Sequence, residues 1–528
     1  MAVGVGVLRR VVPGERRRAT ALGTLVFAAG TGSMATEISA ARLLAPYYGS
    51  STIVWANVIG LVLAALALGY WLGGRLADRR PQPRTLGAVV AVAAAVIAAT
   101  PFVSRPLLDL SVEGLDEVSA GAAIGSFFGT LALFAPPVIL LGMVPPYAIR
   151  LWIADVRAAG EVAGKVFALS TGGSLIGTFL PALVAIPLIG TQRTLLAAAA
   201  VIAAGAALLV GARGLVLASV IAVLLAIPPG AIKGQAGTIY ERESLYQYVQ
   251  VVERGGARYL YLNEGVAVHS VWRPKIVLTG GIWDTFLTVP LLLGRPVRRV
   301  AILGNAGGTV ARAYGVFYPQ ARIDGVELDP AVSETGRRYF GLGDNRRLGV
   351  FDEDARPFLR RARRRYDVII VDAYRPPYVP FYLATREFFR LARQRLAPGG
   401  AIAMNVATVP GDDRLARGVG GTLAHEFPQV LGWQALRFNR LVVGLARNTP
   451  RRVLSRRLAR APARLRPLAS LLAAGMRPVA PAADPWTDDR SPVEWITDRM
   501  IVAYAARGGR LDEQFLPTKP RAQTGLDS

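Results

Sequence analysis

The feature that most constrains the fold is the concentration of apolar residues before Ile232. Hydrophobic residues make up 52% of the 528 residues, which is high for a purely soluble protein. A helix needs about 20 apolar residues to cross a hydrocarbon core about 30 Å thick, and about seven stretches reach that length. They are residues 20–44, 52–76, 84–104, 119–149, 166–190, 194–211 and 214–231. We therefore predict a multi-pass α-helical membrane domain over residues 1–232, with membrane lipid as a partner.

Flanking charges predict the orientation of this domain. Arg16, Arg17 and Arg18 precede the first stretch, whereas acidic residues are enriched in the loop at 105–118, so the N-terminus is expected to be cytoplasmic. Seven spans from there would put the soluble half outside, whereas the glycine turn Gly304–Gly308 and the later carboxylates of that half favour a cytosolic ligand and thus a position inside. We therefore expect a multi-pass protein of the cell membrane with its soluble half on the cytoplasmic side. One span is then miscounted, either the proline-broken 119–149 stretch or the pair joined at Arg213.

The composition argues against a metal centre and against nucleic acid. The chain has no Cys and only two His, so disulfides, thiolate zinc sites and imidazole-rich metal centres are not expected. The net charge is +25, but all but four of the 61 basic residues are Arg, spread along the whole chain. Such a spread indicates a compositional bias towards Arg, so we expect neither a metal nor a nucleic-acid partner.

The pattern changes after Gly237, where short runs typical of β-strands begin. Tyr246–Val252, Tyr259–Leu262 and Val266–Val271 predict a small β-rich subdomain over 237–297. Four later apolar runs alternate with helical stretches, which is the βαβ rhythm of a parallel sheet. They are Val300–Leu303, Ile323–Val326, Val368–Val371 and Ala401–Asn405. We predict an α/β Rossmann-like domain of the class I methyltransferase type over 298–445, followed by a basic segment and tail over 446–528.

Glycines and carboxylates follow the ends of these runs. The turn from Gly304 to Gly308, which includes Gly307, follows the first run, and Glu327 ends the second about 20 residues later. Asp354 and Asp372 come after the next two apolar runs. Ligands of open α/β sheets bind outside the carboxyl ends of the strands. Each signal alone is also typical of an ordinary turn or a helix-capping carboxylate, but the ordered set predicts an adenosyl-binding domain.

Three further motifs carry a family resemblance, together with these acids. They are Glu243-Ser244-Leu245-Tyr246-Gln247, Thr385-Arg386-Glu387-Phe388-Phe389 and Pro398-Gly399-Gly400. With them, residues 240–432 resemble the spermidine synthase family, the polyamine aminopropyltransferases. The stretch from Arg42 to Arg79 resembles the members that are fused to a multi-span membrane region. The resemblance implies a transferase with decarboxylated S-adenosylmethionine as co-substrate, an amine as acceptor, no metal, and a homodimer as a candidate assembly.

The resemblance also implies roles for individual residues. The cofactor half of the site is expected to contain Gln247, Gly304, Gly307, Glu327 on the ribose, and Asp354 with Ala355 on the adenine. Asp372 matches the proton acceptor. The substrate half is expected to contain Tyr246, Asp284, Tyr374 and Arg375.

The polyamine half departs from the family pattern. Ala306 and Arg375 stand where the family usually has Asp, and only Asp284 remains of a Tyr-His-Glu segment. A diamine is a dication that carboxylates hold, so these replacements weaken the case for putrescine and leave the acceptor open.

Three functions remain open from the sequence. The first is aminopropyl transfer from decarboxylated S-adenosylmethionine to an amine such as putrescine. The second is methyl transfer from intact S-adenosylmethionine to another acceptor, which Arg375 would suit. The third is a non-catalytic adenosyl-binding domain on a transporter-like membrane protein, in which Glu37 and Arg42 would be the functional charges.

Two further segments give structural expectations. Gly69, Gly73 and Gly74 in the second apolar stretch predict close helix packing. The Arg-, Leu- and Ala-rich segment Arg451–Pro478 suits either an anionic membrane surface or a solvated insertion.

Overall fold

The computed structural model describes two compact units of the chain. One is a helical unit that ends at Lys233, and the other is an α/β unit that begins at Gly234. The described residues are 13–48, 52–115, 121–153, 155–227, 230, 232–263, 267–374 and 378–508. Of the predicted site residues, Arg375 lies outside these ranges, and the others lie within them.

The first unit is helical throughout its described elements. Its helices are α1 Pro13–Tyr48, α2 Thr52–Arg79, α3 Pro83–Leu115, α4 Gly121–Leu133, α5 Ala135–Gly142, α6 Val144–Trp152, α7 Ala159–Leu180, α8 Ile186–Val210 and α9 Ala212–Leu224. Between α7 and α8 the chain forms a π-helical turn at Pro181–Ala185, and Gly190 has φ 82° and ψ 165° inside α8. The long helical stretch is therefore interrupted by a proline and by a glycine in a conformation that other residues avoid.

Three helical stretches of the described residues are long and apolar enough to cross a membrane. They are Ile53–Arg79, Pro83–Ser111 and Val156–Val210. A fourth is obtained if α4 and the α5–α6 stretch, bent by 48° at their junction, form one broken span, which is the stretch whose prolines made it doubtful in the sequence. Helix α9 has 13 residues and is short for a span. The protein therefore has the helices of a membrane protein, while the number of passes and its orientation stay predictions.

Two of the three glycines predicted to allow close packing do so. A Cβ added at Gly69 would lie 2.3 Å from the carbonyl oxygen of Ile139, and one added at Gly73 would lie 2.5 Å from the Cα of Met143. The prediction is wrong for Gly74, where an added Cβ would meet nothing within 4 Å. Only the first two point at the α5–α6 backbone, since neighbouring positions of a helix face different directions.

The second unit begins with a small antiparallel sheet. Its strands follow the order β1-β2-β3-β4 and are β1 Thr238–Glu243, β2 Tyr248–Arg254, β3 Ala257–Leu262 and β4 Val268–Trp272. The last three coincide with the runs expected from the sequence, and β1 was missed. Its residues show no clean alternation of burial, because β1 is an edge strand with no fully buried side chain.

The main sheet contains eight strands around a parallel core. The remaining strands are β5 Arg299–Leu303, β6 Arg322–Glu327, β7 Leu348–Asp352, β8 Tyr366–Val371, β9 Leu396–Ala407, β10 Gln429–Leu436, β11 Asn439–Leu445 and β12 Arg477–Pro478. Their order is β12-β10-β11-β9-β8-β5-β6-β7, with β5 to β9 parallel and β10, β11 and β12 joined by antiparallel pairing. This confirms the predicted Rossmann-like α/β domain, whereas the antiparallel strands β10, β11 and β12, which make the sheet mixed, were not predicted.

Helices cover both faces of this sheet, and two separate apolar clusters fill the layers between. The helices of this unit are α10 Ile282–Thr285, α11 Val289–Leu293, α12 Thr309–Phe317, α13 Pro330–Tyr339, α14 Ala355–Arg361, α15 Arg386–Arg395, α16 Arg414–Leu423, α17 Arg451–Ala459, α18 Arg466–Gly475 and α19 Val493–Ala505. The chain runs from β5 outwards to β7 and then returns to β8 on the other side of β5. That reversal creates a crevice at the carboxyl ends of β5 and β8, which is where ligands of such sheets bind.

The basic segment Arg451–Pro478 is part of this unit. Leu454 and Leu458 of α17 and Leu465 and Leu472 at α18 are almost completely buried in the cluster that also contains β5 side chains. These four leucines therefore pack on the sheet, whereas Leu471 is exposed. The exposed arginines of the segment lie on the outer side.

Gly73→Ala is expected to destabilise the helical unit, whereas Gly74→Ala is not. The added methyl at residue 73 would overlap the Met143 backbone, and overpacking of this kind costs about 1–3 kcal/mol. At residue 74 there is space, and alanine favours a helix by about 1 kcal/mol over glycine. The thermal unfolding midpoints of both variants in detergent test this, and equal midpoints would contradict the close approach of α2 to Met143.

Candidate functional site

The glycine turn joins β5 to α12 at the crevice. Gly304 has φ +86°, and a Cβ there would lie 2.5 Å from the backbone of Ala373, so both its conformation and its surroundings require glycine. The amide of Gly307 donates to Ser270 Oγ at 2.8 Å, and an added Cβ would meet Ser270 at 2.9 Å. The turn is therefore held tightly between β4 and the chain that follows β8.

Asn305 and Ala306 are the residues of this turn that the sequence did not identify as contributors. Ala306 has φ 45°, an unusual value for a residue with a side chain. Asn305 is buried against Gly325 of β6, and neither atom of its amide has a hydrogen-bond partner within the described part of the chain. Buried amides are normally paired, so an orphaned one at the crevice fits a site that a polar ligand completes.

Glu327 ends β6 beside the turn. Its Oε2 accepts from the amide of Ala306 at 2.9 Å, and its Oε1 accepts from the amide of Asp329 at 3.2 Å. Burial raises the pKa of Glu327 to about 7, against the lowering effect of these hydrogen bonds. Each carboxylate oxygen still has a lone pair, so the group can accept hydrogen bonds from two neighbouring hydroxyls.

The loop before β2 comes to the same strand end. Ser244 Oγ accepts from the amides of Tyr246 and Gln247, each at 3.0 Å, and donates to Asp329 Oδ2 at 2.6 Å. The Gln247 side chain also hydrogen-bonds Asp329. Gln247 is thus linked to Glu327 through Asp329, a buried acid two residues after Glu327. The Tyr246 side chain is exposed. Sequence reasoning missed Ser244 and Asp329, although Asp329-Pro330 is a typical helix start.

Asp354 caps α14 and contacts the loop after β8. Its Oδ1 accepts from the amide of Arg356 at 2.9 Å, and its Oδ2 accepts from the Tyr382 hydroxyl at 2.7 Å. The ordinary capping role is therefore real. The next residue, Ala355, is buried, so this end of the crevice is formed by a short apolar side chain beside a fixed carboxylate.

Asp372 follows β8 directly. Its amide donates to the carbonyl of Leu303 at 2.8 Å, which places it next to the glycine turn. Its Oδ1 accepts from Asn405 Nδ2 at 2.9 Å, and the Trp283 side chain donates a further hydrogen bond. Asn405 is held in turn by Asn439, at 3.0 Å. Burial raises the pKa of Asp372 to about 7 even though these hydrogen bonds lower it.

Tyr374 and Asp284 behave more as structural residues than as free substrate contacts. The Tyr374 hydroxyl donates to the carbonyl of Asn405 at 3.0 Å, and burial raises its pKa well above the ordinary value. Asp284 is buried and accepts from the amides of Thr279 and Gly280 at 3.1 and 2.7 Å and from the Thr279 hydroxyl. Burial raises the pKa of Asp284 to about 6. Both side chains therefore shape the loops around Asp372.

The fold thus gathers the predicted residues around the carboxyl ends of β5, β6 and β8. Linked hydrogen bonds join Gln247 to Glu327 and Trp283 to Asp372, as described above, and Asp354 lies at the end of the neighbouring β7. Among the described residues no group of three or more His, Asp or Glu side chains is arranged to hold a metal ion.

The second unit is similar in sequence to known proteins. Residues 284–416 match the model of the spermine/spermidine synthase domain. The matched residues lie within the second unit. A probable polyamine aminopropyl transferase of Bifidobacterium longum is 34% identical over 189 residues, which are 36% of this chain and 42% of that protein. A polyamine aminopropyltransferase of Vibrio vulnificus is 32% identical over 179 residues, 33% of this chain and 60% of that protein.

The chain thus spans about half the length of these two relatives. A crystal structure of a probable spermidine synthase from Corynebacterium glutamicum is 19% identical to this chain, with a TM-score of 0.37, and the match covers 52% of this chain and 95% of that one.

Asp372→Asn is expected to make the stability of the protein less sensitive to rising pH. The pKa of Asp372 is about 7 in the folded chain against an ordinary value of 3.8, so between about pH 4 and pH 7 the folded state keeps a proton that the unfolded state has lost. That contribution is complete below about pH 4 and is lost as the pH rises through 7. Asparagine has nothing to ionise there.

The measurement is the thermal unfolding midpoint at pH 5 and at pH 7.5. We expect the wild-type midpoint to fall by several degrees more than that of Asp372→Asn. The control is Asp352→Asn, which removes an exposed carboxylate at the end of β7. Its unfolding midpoint should fall by as much as that of the wild type. An equal fall in all three proteins would contradict a raised pKa of Asp372.

Proposed function

We propose that the protein transfers an aminopropyl group from decarboxylated S-adenosylmethionine to an amine. The observation that carries the proposal is the position of Asp372, a fixed carboxyl group at the mouth of the crevice that adjoins the glycine turn. The matched domain and the names of the relatives support the same chemistry. We also propose the domain boundaries predicted from the sequence, with the membrane domain over 1–232, the β-rich subdomain over 237–297, the Rossmann-like domain over 298–445 and the basic segment and tail over 446–528.

The proposed site holds the adenosyl part along the strand ends. Glu327 accepts hydrogen bonds from the two ribose hydroxyls, and Asp354 accepts one from the adenine amino group while Ala355 packs against the ring. Gln247 lies beside the ribose through its link to Asp329. The backbone of Gly304 and Gly307 lets the ligand approach closely, since neither carries a side chain.

The reaction needs one new bond, one broken bond and one proton acceptor. The amine nitrogen forms a bond to the propyl carbon next to the sulfonium, and the carbon–sulfur bond breaks with its electron pair going to sulfur. The products are a neutral thioether and a substituted amine. The proton released by the attacking nitrogen passes to Asp372, whose pKa near 7 makes it a stronger base than an ordinary Asp. Alignment of nitrogen, carbon and sulfur supplies most of the remaining rate.

The acceptor side fits a single amine better than an extended dication. Ala306 offers no charge, and Asp284 already accepts three hydrogen bonds from Thr279 and Gly280, which occupy most of its acceptor sites. Of these acceptor-side groups, Asp372 is then the carboxylate that meets the reacting nitrogen. We infer an amine acceptor whose remaining part is neutral, with Tyr246 exposed at the edge of the site to contact it. We also propose that this site lies on the cytoplasmic side of the membrane and that the protein assembles as a homodimer.

Calorimetric titration of the detergent-solubilised protein tests the cofactor. We expect tighter binding of decarboxylated than of intact S-adenosylmethionine, because the extra carboxylate of the intact cofactor would come close to Asp372. Glu327→Gln should weaken binding by about 10- to 100-fold, the loss of hydrogen bonds to a charged group. Preference for the intact cofactor would favour methyl transfer, and binding of neither would overturn the proposal.

Transfer activity tests the role of Asp372 separately. Asp372→Asn should keep the affinity for the decarboxylated cofactor and lose about 10²- to 10⁴-fold in turnover, the usual contribution of a general base. Asn405→Asp gives a second variant in which the support of Asp372 is replaced by a like charge. An unchanged turnover in Asp372→Asn would show that another group accepts the proton.

A further inference from the structure

The segment from Trp486 to Asp498 packs on the loop that follows Asp372 and on the start of α14. Trp486 is buried, its carbonyl accepts from the amide of Arg386 at 2.8 Å, and its amide donates to Thr422 Oγ1 at 3.0 Å. Tyr378 donates through its hydroxyl to Asp498. Residues more than 100 positions after the proposed catalytic acid are therefore in contact with the elements that surround the crevice.

We propose that Asp488 is a positioning residue of the adenosyl pocket, acting through Arg356; this role rests on the proposed function. Asp488 accepts from Arg356 Nη1 and Nη2 at 2.8 and 2.5 Å and from Thr385 Oγ1 at 2.7 Å. The Arg356 side chain is only 15% exposed, so this two-pronged ion pair is partly shielded from water. Paired hydrogen bonds of this kind fix the direction of a guanidinium as well as its place.

The direction of Arg356 matters because it lies two residues after Asp354. Its amide donates to Asp354 Oδ1, and its Nη1 also lies 3.4 Å from the carbonyl of Tyr382, whose hydroxyl donates to Asp354 Oδ2. The guanidinium is close enough to interact electrostatically with both Asp354 and Asp488. Asp488 keeps this cation turned away from the carboxylate that is proposed to hold the adenine.

Loss of the Asp488 charge would release Arg356 towards Asp354. An arginine is a stronger partner for a carboxylate than an adenine amino group, because both members of the pair are charged. The adenine would then compete with Arg356 for the same oxygens. Affinity for every adenosyl ligand should fall, while the reaction at Asp372 should proceed at its usual rate once the ligand is bound.

The chain supplies a matched control in the same segment. Asp484 pairs with Arg490 at 2.8 Å, and both side chains are mostly exposed. Such surface pairs contribute little, so Asp484→Asn removes one charge nearby without touching the pocket. Because Trp486 anchors the segment through its own backbone and its buried ring, Asp488→Asn should leave the fold in place.

The experiment measures the affinity of the full-length protein for methylthioadenosine and the kinetics of transfer. In Asp488→Asn we expect about tenfold weaker binding and a similarly raised KM for the decarboxylated cofactor, with kcat within about twofold of wild type. Asp484→Asn should match the wild type. Adding Arg356→Gln to Asp488→Asn should restore most of the affinity, because the competing cation is gone.

The outcomes separate this role from the proposed function. If the wild type binds no adenosyl ligand, the proposed function fails, and the role of Asp488 with it. If the wild type binds and Asp488→Asn binds equally well, only the role of Asp488 is overturned. Weakened binding that Arg356→Gln does not restore, or a fall in kcat at unchanged KM, also overturns it, since general loosening of the segment would then be the cause.

Discussion

The carboxyl end of β8 is held to the end of β5 by the hydrogen bond from the amide of Asp372 to the carbonyl of Leu303. This bond continues the parallel ladder for one residue beyond the strand, and it brings a carboxyl group against a turn that only glycine can form at residue 304. The adjoining parts of the site depend on that junction. Glu327 bonds to the turn from one side, and Asn405 and Trp283 bond to Asp372 from the other.

Burial of the carboxyl groups is what gives this arrangement its chemistry. Glu327 and Asp372 both have pKa values near 7 because the fold removes them from water, although each receives hydrogen bonds that favour the charged form. A charged ligand changes this balance. The sulfonium and the amine of the proposed reaction would bring positive charge to the crevice, stabilise the ionised acids and so offset part of the energy that burial costs.

The sequence was sufficient to predict four of the five parallel strands, β5, β6, β8 and β9, because each contains a short apolar run, and it gave no such range for β7. It was also sufficient to predict Glu327 and Asp372, since the position of a residue at a strand end follows from the chain itself. It could not predict the contacts of Ser244, Asn405 and Asp488. Their partners, respectively Asp329, Tyr374 and Arg356, lie 31 or more positions away along the chain. The packing prediction for Gly74 was wrong for a different reason. The sequence of a helix does not show which of its glycines faces a neighbouring helix.

Asp284 illustrates why an acid at a position that matches a family pattern does not by itself have the role that the pattern implies. The sequence offered it as the surviving acid of the polyamine half, and its pKa near 6 would permit that use. Its oxygens, however, receive three hydrogen bonds from Thr279 and Gly280, which use most of the directions in which an ammonium group could bind. An amine that displaced the bond from Gly280 would have to replace a backbone amide as the donor to Oδ2. In the proposed function, contact with the acceptor is therefore assigned to Asp372 and to the apolar turn at Ala306 more than to Asp284.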